Sequence, residues 1–159
     1  MQPHILFWGA LLSVLPISEL RGAIPFMLAN KAPVLFAFLY CTALNALVAP
    51  IVYIFLSSVH KLLYRITWYR NFFERFVEKT RRKVKKEIDK YGFWGLMIFV
   101  AIPLPMTGAY SGALGAWILG MDTKRSILSV AAGVLIAGVV VTAVAWFGIG
   151  AFSFLLKKV

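Results

Sequence analysis

Carboxylates are scarce in this chain, with six Asp and Glu among 159 residues against 17 Lys and Arg. There is one cysteine, Cys41, so no intrachain disulfide can form. The two histidines, His4 and His60, lie far apart, and no Cys/His spacing suits a metal ion. No nucleophile–base–acid constellation and no phosphate-cradling Gly-rich loop is visible. These absences leave no cofactor or metal to expect and argue against an enzyme. A basic n-region and a small-residue cleavage site are also missing near Met1, so the first apolar segment does not read as a cleaved signal.

Charge of either sign is missing from three long runs: Val34 to Val59, Tyr91 to Met121 and Ser126 to Leu156. A helix needs about 20 apolar residues to cross the hydrocarbon core of a bilayer. The composition agrees, with 61% hydrophobic residues and a mean hydropathy of +0.83, where soluble domains run nearer half apolar. The expectation is an all-α, multi-pass protein of the cell membrane, one domain over residues 1–159.

The positive charge is concentrated. Residues 60–90 hold eleven Lys and Arg against four Asp and Glu, a balance of +7. Between two lipid-embedded halves this reads as a cytoplasmic, positive-inside segment and not as a nucleic-acid surface. Trp68, Phe72, Phe73 and Phe76 recur there at helical spacing. The segment is either a solvated extension of the preceding span or an amphipathic helix on an anionic leaflet.

The two flanks, 1–59 and 91–159, follow one plan. Phe7-Trp8-Gly9 is echoed by Phe93-Trp94-Gly95, and the break at Pro16 by Pro103-Leu104-Pro105. Pro3 to Ile17 is too short to cross a bilayer and suits a re-entrant arm. A polar middle follows, up to Pro25, and then a brief apolar arm from Phe26 to Ala29. Each half thus reads as a re-entrant helical hairpin plus one transmembrane helix. A single crossing per half makes the second half enter from the opposite face, an inverted repeat of the kind found in secondary transporters.

Glu19 and Arg21 are the acid and base inside the first apolar region. A charge at membrane depth is costly and faces a cavity or a partner. Arg21 is a candidate for binding an anionic substrate group through its planar fork. Glu19 could carry a proton or neutralise Arg21. The plainer alternatives are an internal ion pair that fixes an extended loop, or a shallow loop whose charges snorkel. The matching second loop is uncharged and offers Thr107, Tyr110 and Ser111 as hydroxyl ligands. Pro16, Gly22, Pro25, Pro103, Pro105, Gly108 and Gly112 are expected to shape the two loops. Asn45 either bonds a neighbouring helix or lines the pathway, and Gly133 and Gly138 read as a helix-packing face.

The string Ser18-Glu19-Leu20-Arg21-Gly22-Ala23-Ile24-Pro25 resembles the signature of the prokaryotic small multidrug export family. The run from Ala101 to Ala113 resembles that family's second motif, with Met106 where the motif usually has glycine. The family is similar to the wider DedA superfamily of membrane transporters. That resemblance implies two inverted units of re-entrant loop plus helix, and lipid movement including polyprenyl phosphates, with proton coupling. The expected function is transport of an amphiphilic substrate, an anionic lipid or a small drug-like compound, at a site where the two hairpin tips meet. An ion-independent lipid scramblase and a non-transporting scaffold are the alternatives. Membrane lipids and a second copy in a homodimer are the expected partners.

Overall fold

The structure, a computed structural model, describes residues 2–58, 64–103 and 107–156. Among the described residues there are seven helices and no strand: α1 (Pro3–Val14), α2 (Glu19–Ala29), α3 (Val34–Ala46), α4 (Val48–Ser57), α5 (Thr67–Ala101), α6 (Ala109–Ile118) and α7 (Thr123–Leu156). Val59, His60 and Pro105 lie outside the described residues.

Two stretches are long and apolar enough to cross a membrane. Val34–Ser57 has 24 residues and Thr123–Gly148 has 26, with mean hydropathies of 2.0 and 2.6. At 1.5 Å per residue the shorter is about 36 Å long, enough for a hydrocarbon core of about 30 Å. Only 33% and 39% of these stretches are buried. The rest turns large apolar side chains outward, among them Leu35, Ile54, Leu128, Val144 and Phe147. A soluble protein does not present such a surface to water.

Proline sets several boundaries. The residue before proline is pushed out of the helical region. Leu15, before Pro16, has ψ 129, and α1 stops there. Ile102, before Pro103, has ψ 116, and α5 stops there. The first arm therefore ends at Val14, not at Ile17 as the apolar run suggested. Pro50 has no N–H to give the carbonyl of Ala46, and the first span is interrupted there, between α3 and α4. Pro25 behaves differently from expectation. It sits inside α2, which runs unbroken from Glu19 to Ala29. The polar middle thus shrinks to the turn at residues 15–18. One proline removes a single backbone bond, and the buried contacts of Ile24 and Met27 hold the helix on both sides of it.

In α5, Gly92 has φ 51 and ψ −119, a non-helical residue that divides the basic stretch from the apolar arm ending at Ala101. That break falls within two residues of the boundary expected from charge. Asp122 starts α7: its carboxylate accepts the N–H of Arg125 (3.0 Å), an N-cap that satisfies one orphan donor.

By contacts the chain divides into two compact units, residues 1–45 with 135–159, and residues 46–134. In the first, α1 packs on α2. Tyr40 of α3 donates its hydroxyl to the carbonyl of Leu6 (3.2 Å), and Asn45 donates to the carbonyl of Ser13 (2.7 Å). Asn45 thus bonds a neighbouring helix, one of the two roles expected of it. Gly138 of α7 leaves room for Thr42 and Phe38. In the second unit the end of α5 packs on α6, and α6 on α4. Ser129 of α7 donates to the carbonyl of Phe93 (2.6 Å). A side chain at Gly133 would meet the Met97 carbonyl at 2.6 Å. Both glycines serve as close-packing positions.

The second arms end alike. At the end of α2, Lys31 N–H bonds Leu28 and Ala32 N–H bonds Met27. At the end of α6, Gly120 N–H bonds Trp117 and Met121 N–H bonds Ala116. Each pair is a Schellman stop with its turning residue in the left-handed region, Lys31 at φ 62 and Gly120 at φ 71.

Candidate functional site

The turn after α1 is closed by the N–H groups of Ser18 and Glu19, both bonded to the Leu15 carbonyl. Glu19 then opens α2 with φ 46, a left-handed conformation that costs an ordinary residue about 1–2 kcal/mol. This reversal brings together two side chains that would diverge on a regular helix. The Glu19 carboxylate lies 3.9 Å from the Arg21 guanidinium. The sequence suggested an extended loop as the reason they could meet. The structure instead uses one left-handed residue in the first helical turn.

The two partners are unequally covered. The Glu19 side chain is 8% exposed and that of Arg21 30%. The buried acid sits at the positive end of the α2 dipole, where negative charge is favoured. The Arg21 side chain is only partly covered.

Ser18 is a residue the sequence reading passed over. Its hydroxyl oxygen is buried and has no hydrogen-bond partner. It lies directly over Gly22, where a Cβ would collide with it. The signal was present as Ser18 and Gly22 four apart on one helix face. Gly22 is therefore required by contact and not by its own dihedral angles.

The second loop is organised by its hydroxyls. Thr107 donates to the Ile102 carbonyl (2.6 Å), covering an orphan acceptor at the end of α5. Ser111 points back at the Gly108 carbonyl (3.4 Å). Both hydroxyls lie within hydrogen-bond distance of the loop's own carbonyls. Tyr110 is half-buried at the start of α6. Gly108 has φ 140, open to glycine alone. Gly112 faces Val100, whose methyl would stand 2.5 Å from an added Cβ. Pro16 is exposed in the first turn and Pro103 half-buried in the second. Glu19 and Arg21 belong to the first unit, and Thr107, Tyr110 and Ser111 to the second.

A helical chain with two long apolar stretches, short paired helices and a buried acid beside a partly exposed arginine in an apolar segment is a helical membrane protein. The chain belongs to a family of small export proteins: the family model described as "Putative small multi-drug export protein" matches residues 19–140. The matched segment opens on Glu19, just past the first turn, and includes the second loop. No curated protein and no solved structure matches the chain.

Proposed function

We propose that this membrane transporter binds the anionic group of an amphiphilic substrate at Arg21, with Glu19 holding the guanidinium when the site is empty. The observation that carries the reading is the pair itself, a buried carboxylate 3.9 Å from a partly exposed guanidinium at the turn of a short apolar hairpin. A substrate carboxylate or phosphate replaces Glu19 on the donor fork of Arg21. Glu19, displaced, takes up a proton, which couples binding to a pH gradient. The substrate class is an anionic lipid, such as a polyprenyl phosphate, or a drug-like amphiphile. The role is transport and not catalysis.

The same proposal places the two halves as inverted repeats, each a re-entrant hairpin plus one crossing. Support comes from matched bonds. Moving 89 residues along the chain carries the Schellman stop at Lys31 onto that at Gly120. The same shift carries Tyr40 onto Ser129, and each of these donates from a span to the carbonyl of a first arm. α1, at 12 residues, is about 18 Å long and too short to cross. Residues 60–90 then lie in the cytoplasm, against anionic lipid. So short a chain has few helices to enclose a pathway, which favours a homodimer.

The experiment is transport in proteoliposomes with and without a pH gradient. Arg21→Ala abolishes transport and Arg21→Lys restores little of it, because an ammonium lacks the planar fork. Glu19→Gln transports without responding to the gradient. Normal transport by Arg21→Ala rejects the site. For topology, single cysteines at Lys31 and Tyr64, in a Cys41→Ser background, label from opposite faces; labelling from one face rejects the single crossing between them.

A further inference from the structure

We propose that the open end of the first hairpin, away from Glu19 and Arg21, binds the phosphate of a lipid headgroup. A cavity of about 620 Å³ opens there. The start of α1, the end of α2 and the start of α3 all contribute to it. Gln2, His4, Asn30 and Lys31 give it polar walls, and Ile5 and Phe36 give it apolar ones. No carboxylate lines it. Lys31 brings a full positive charge and three donors, and Gln2 and His4 bring further N–H groups. Asn30 is already committed, donating to the Phe26 carbonyl at 2.8 Å. Its role is to shape the wall.

Lys31 is placed by the backbone and not by a partner charge. It occupies the left-handed position of the Schellman stop, where Gly120 stands at the end of α6. A glycine there would fold more easily. What distinguishes the first hairpin at this position is the ammonium group.

The occupant is a lipid and not a free anion because of what adjoins the cavity. It opens at the first residues of the span Val34–Ser57. Phe36 of the cavity wall and Leu39, three residues further along α3, are 39% and 54% exposed. A phosphate seated at Lys31 lets its acyl chains run down that apolar face. The inference rests on the membrane placement of the chain and not on the role given to Arg21.

The test is native mass spectrometry of the full chain in detergent, titrated with dioleoylphosphatidic acid. Residues 60–90 attract anionic lipid too, so the reading is the difference between variants. Lys31→Gly keeps the left-handed turn and removes the charge; Lys31→Arg keeps the charge. Lys31→Gly should weaken retention of one lipid per chain roughly tenfold, as expected for a lost charge-assisted bond. Lys31→Arg and Arg21→Ala should retain it. Dioleoylglycerol, with the same tails and no phosphate, should not compete. Unchanged retention by Lys31→Gly overturns the site, as does equal competition by dioleoylglycerol. Displacement by inorganic phosphate alone overturns the lipid as occupant. Loss on Arg21→Ala would move the bound lipid to the other site.

Discussion

Asn45 donates its side-chain amide to the carbonyl of Ser13 across 2.7 Å, with both residues fully buried. Ser13 stands in the last turn of α1, where carbonyls have no helical partner. One side chain on α3 thus closes an acceptor that nothing in α1 can reach. Ser13 completes the arrangement by donating its own hydroxyl to Gly9 at 2.7 Å. Asn45→Leu should destabilise the folded chain by about 1–2 kcal/mol, the range for a polar contact between membrane helices and an orphaned acceptor. Thermal unfolding in detergent checks this, and an unchanged midpoint would show that the bond contributes nothing net.

Gly112 and Gly120 should respond to alanine for opposite reasons. At Gly112 the obstacle is Val100, and overpacking of this kind costs about 1–3 kcal/mol. At Gly120 nothing lies within 4 Å, but φ is 71. Size is harmless there and handedness is not, so Gly120→Asn should be tolerated better than Gly120→Ala. Paired Val100→Ala should rescue Gly112→Ala and leave Gly120→Ala unaffected. Melting midpoints of the singles and the double distinguish the two mechanisms.

At Glu19 stability and function should separate. Glycine accepts φ 46 freely and alanine does not, while both remove the carboxylate. Glu19→Gly is expected to be more stable than Glu19→Ala by about 1 kcal/mol. Neither should respond to a pH gradient. Equal stabilities would mean that the left-handed turn is not maintained once the carboxylate is gone.

Tyr64 donates its hydroxyl to Glu74 at 2.8 Å at the start of the basic segment. That bond, together with the Glu74 charge, raises the phenol above its ordinary value. The contribution to folding is present below the unfolded phenol's range and is lost as pH rises through the folded one. Ultraviolet titration should show a late phenolate component that moves earlier in Glu74→Gln. A profile unaffected by that substitution would place the cause elsewhere.

Much of the fold was legible because it depends on single residues with strong local rules. Pro16 and Pro103 stop the helices that precede them, and two of the three uncharged runs hold the spans. Charge alone placed the boundary that Gly92 makes in the backbone. The first span's interruption before Pro50 and the continuity of α2 through Pro25 were not legible. A proline removes one bond in both places, and neighbouring contacts decide whether the helix survives. The candidate pair was legible as residue types, since Glu19 and Arg21 are conspicuous in an apolar segment. Its geometry was not, because left-handed Glu19 and Lys31 have no compositional sign.

The break at Gly92 has a mechanical meaning. An unbroken helix of 35 residues would be a rod about 52 Å long. Such a rod has one axis, so its charged and oily portions would have to point the same way. The joint frees each portion to take its own inclination. A bilayer surface and a bilayer interior can therefore each set the direction of the portion they hold. Alanine disfavours the backbone angles of Gly92, so Gly92→Ala would push the two portions toward one common axis.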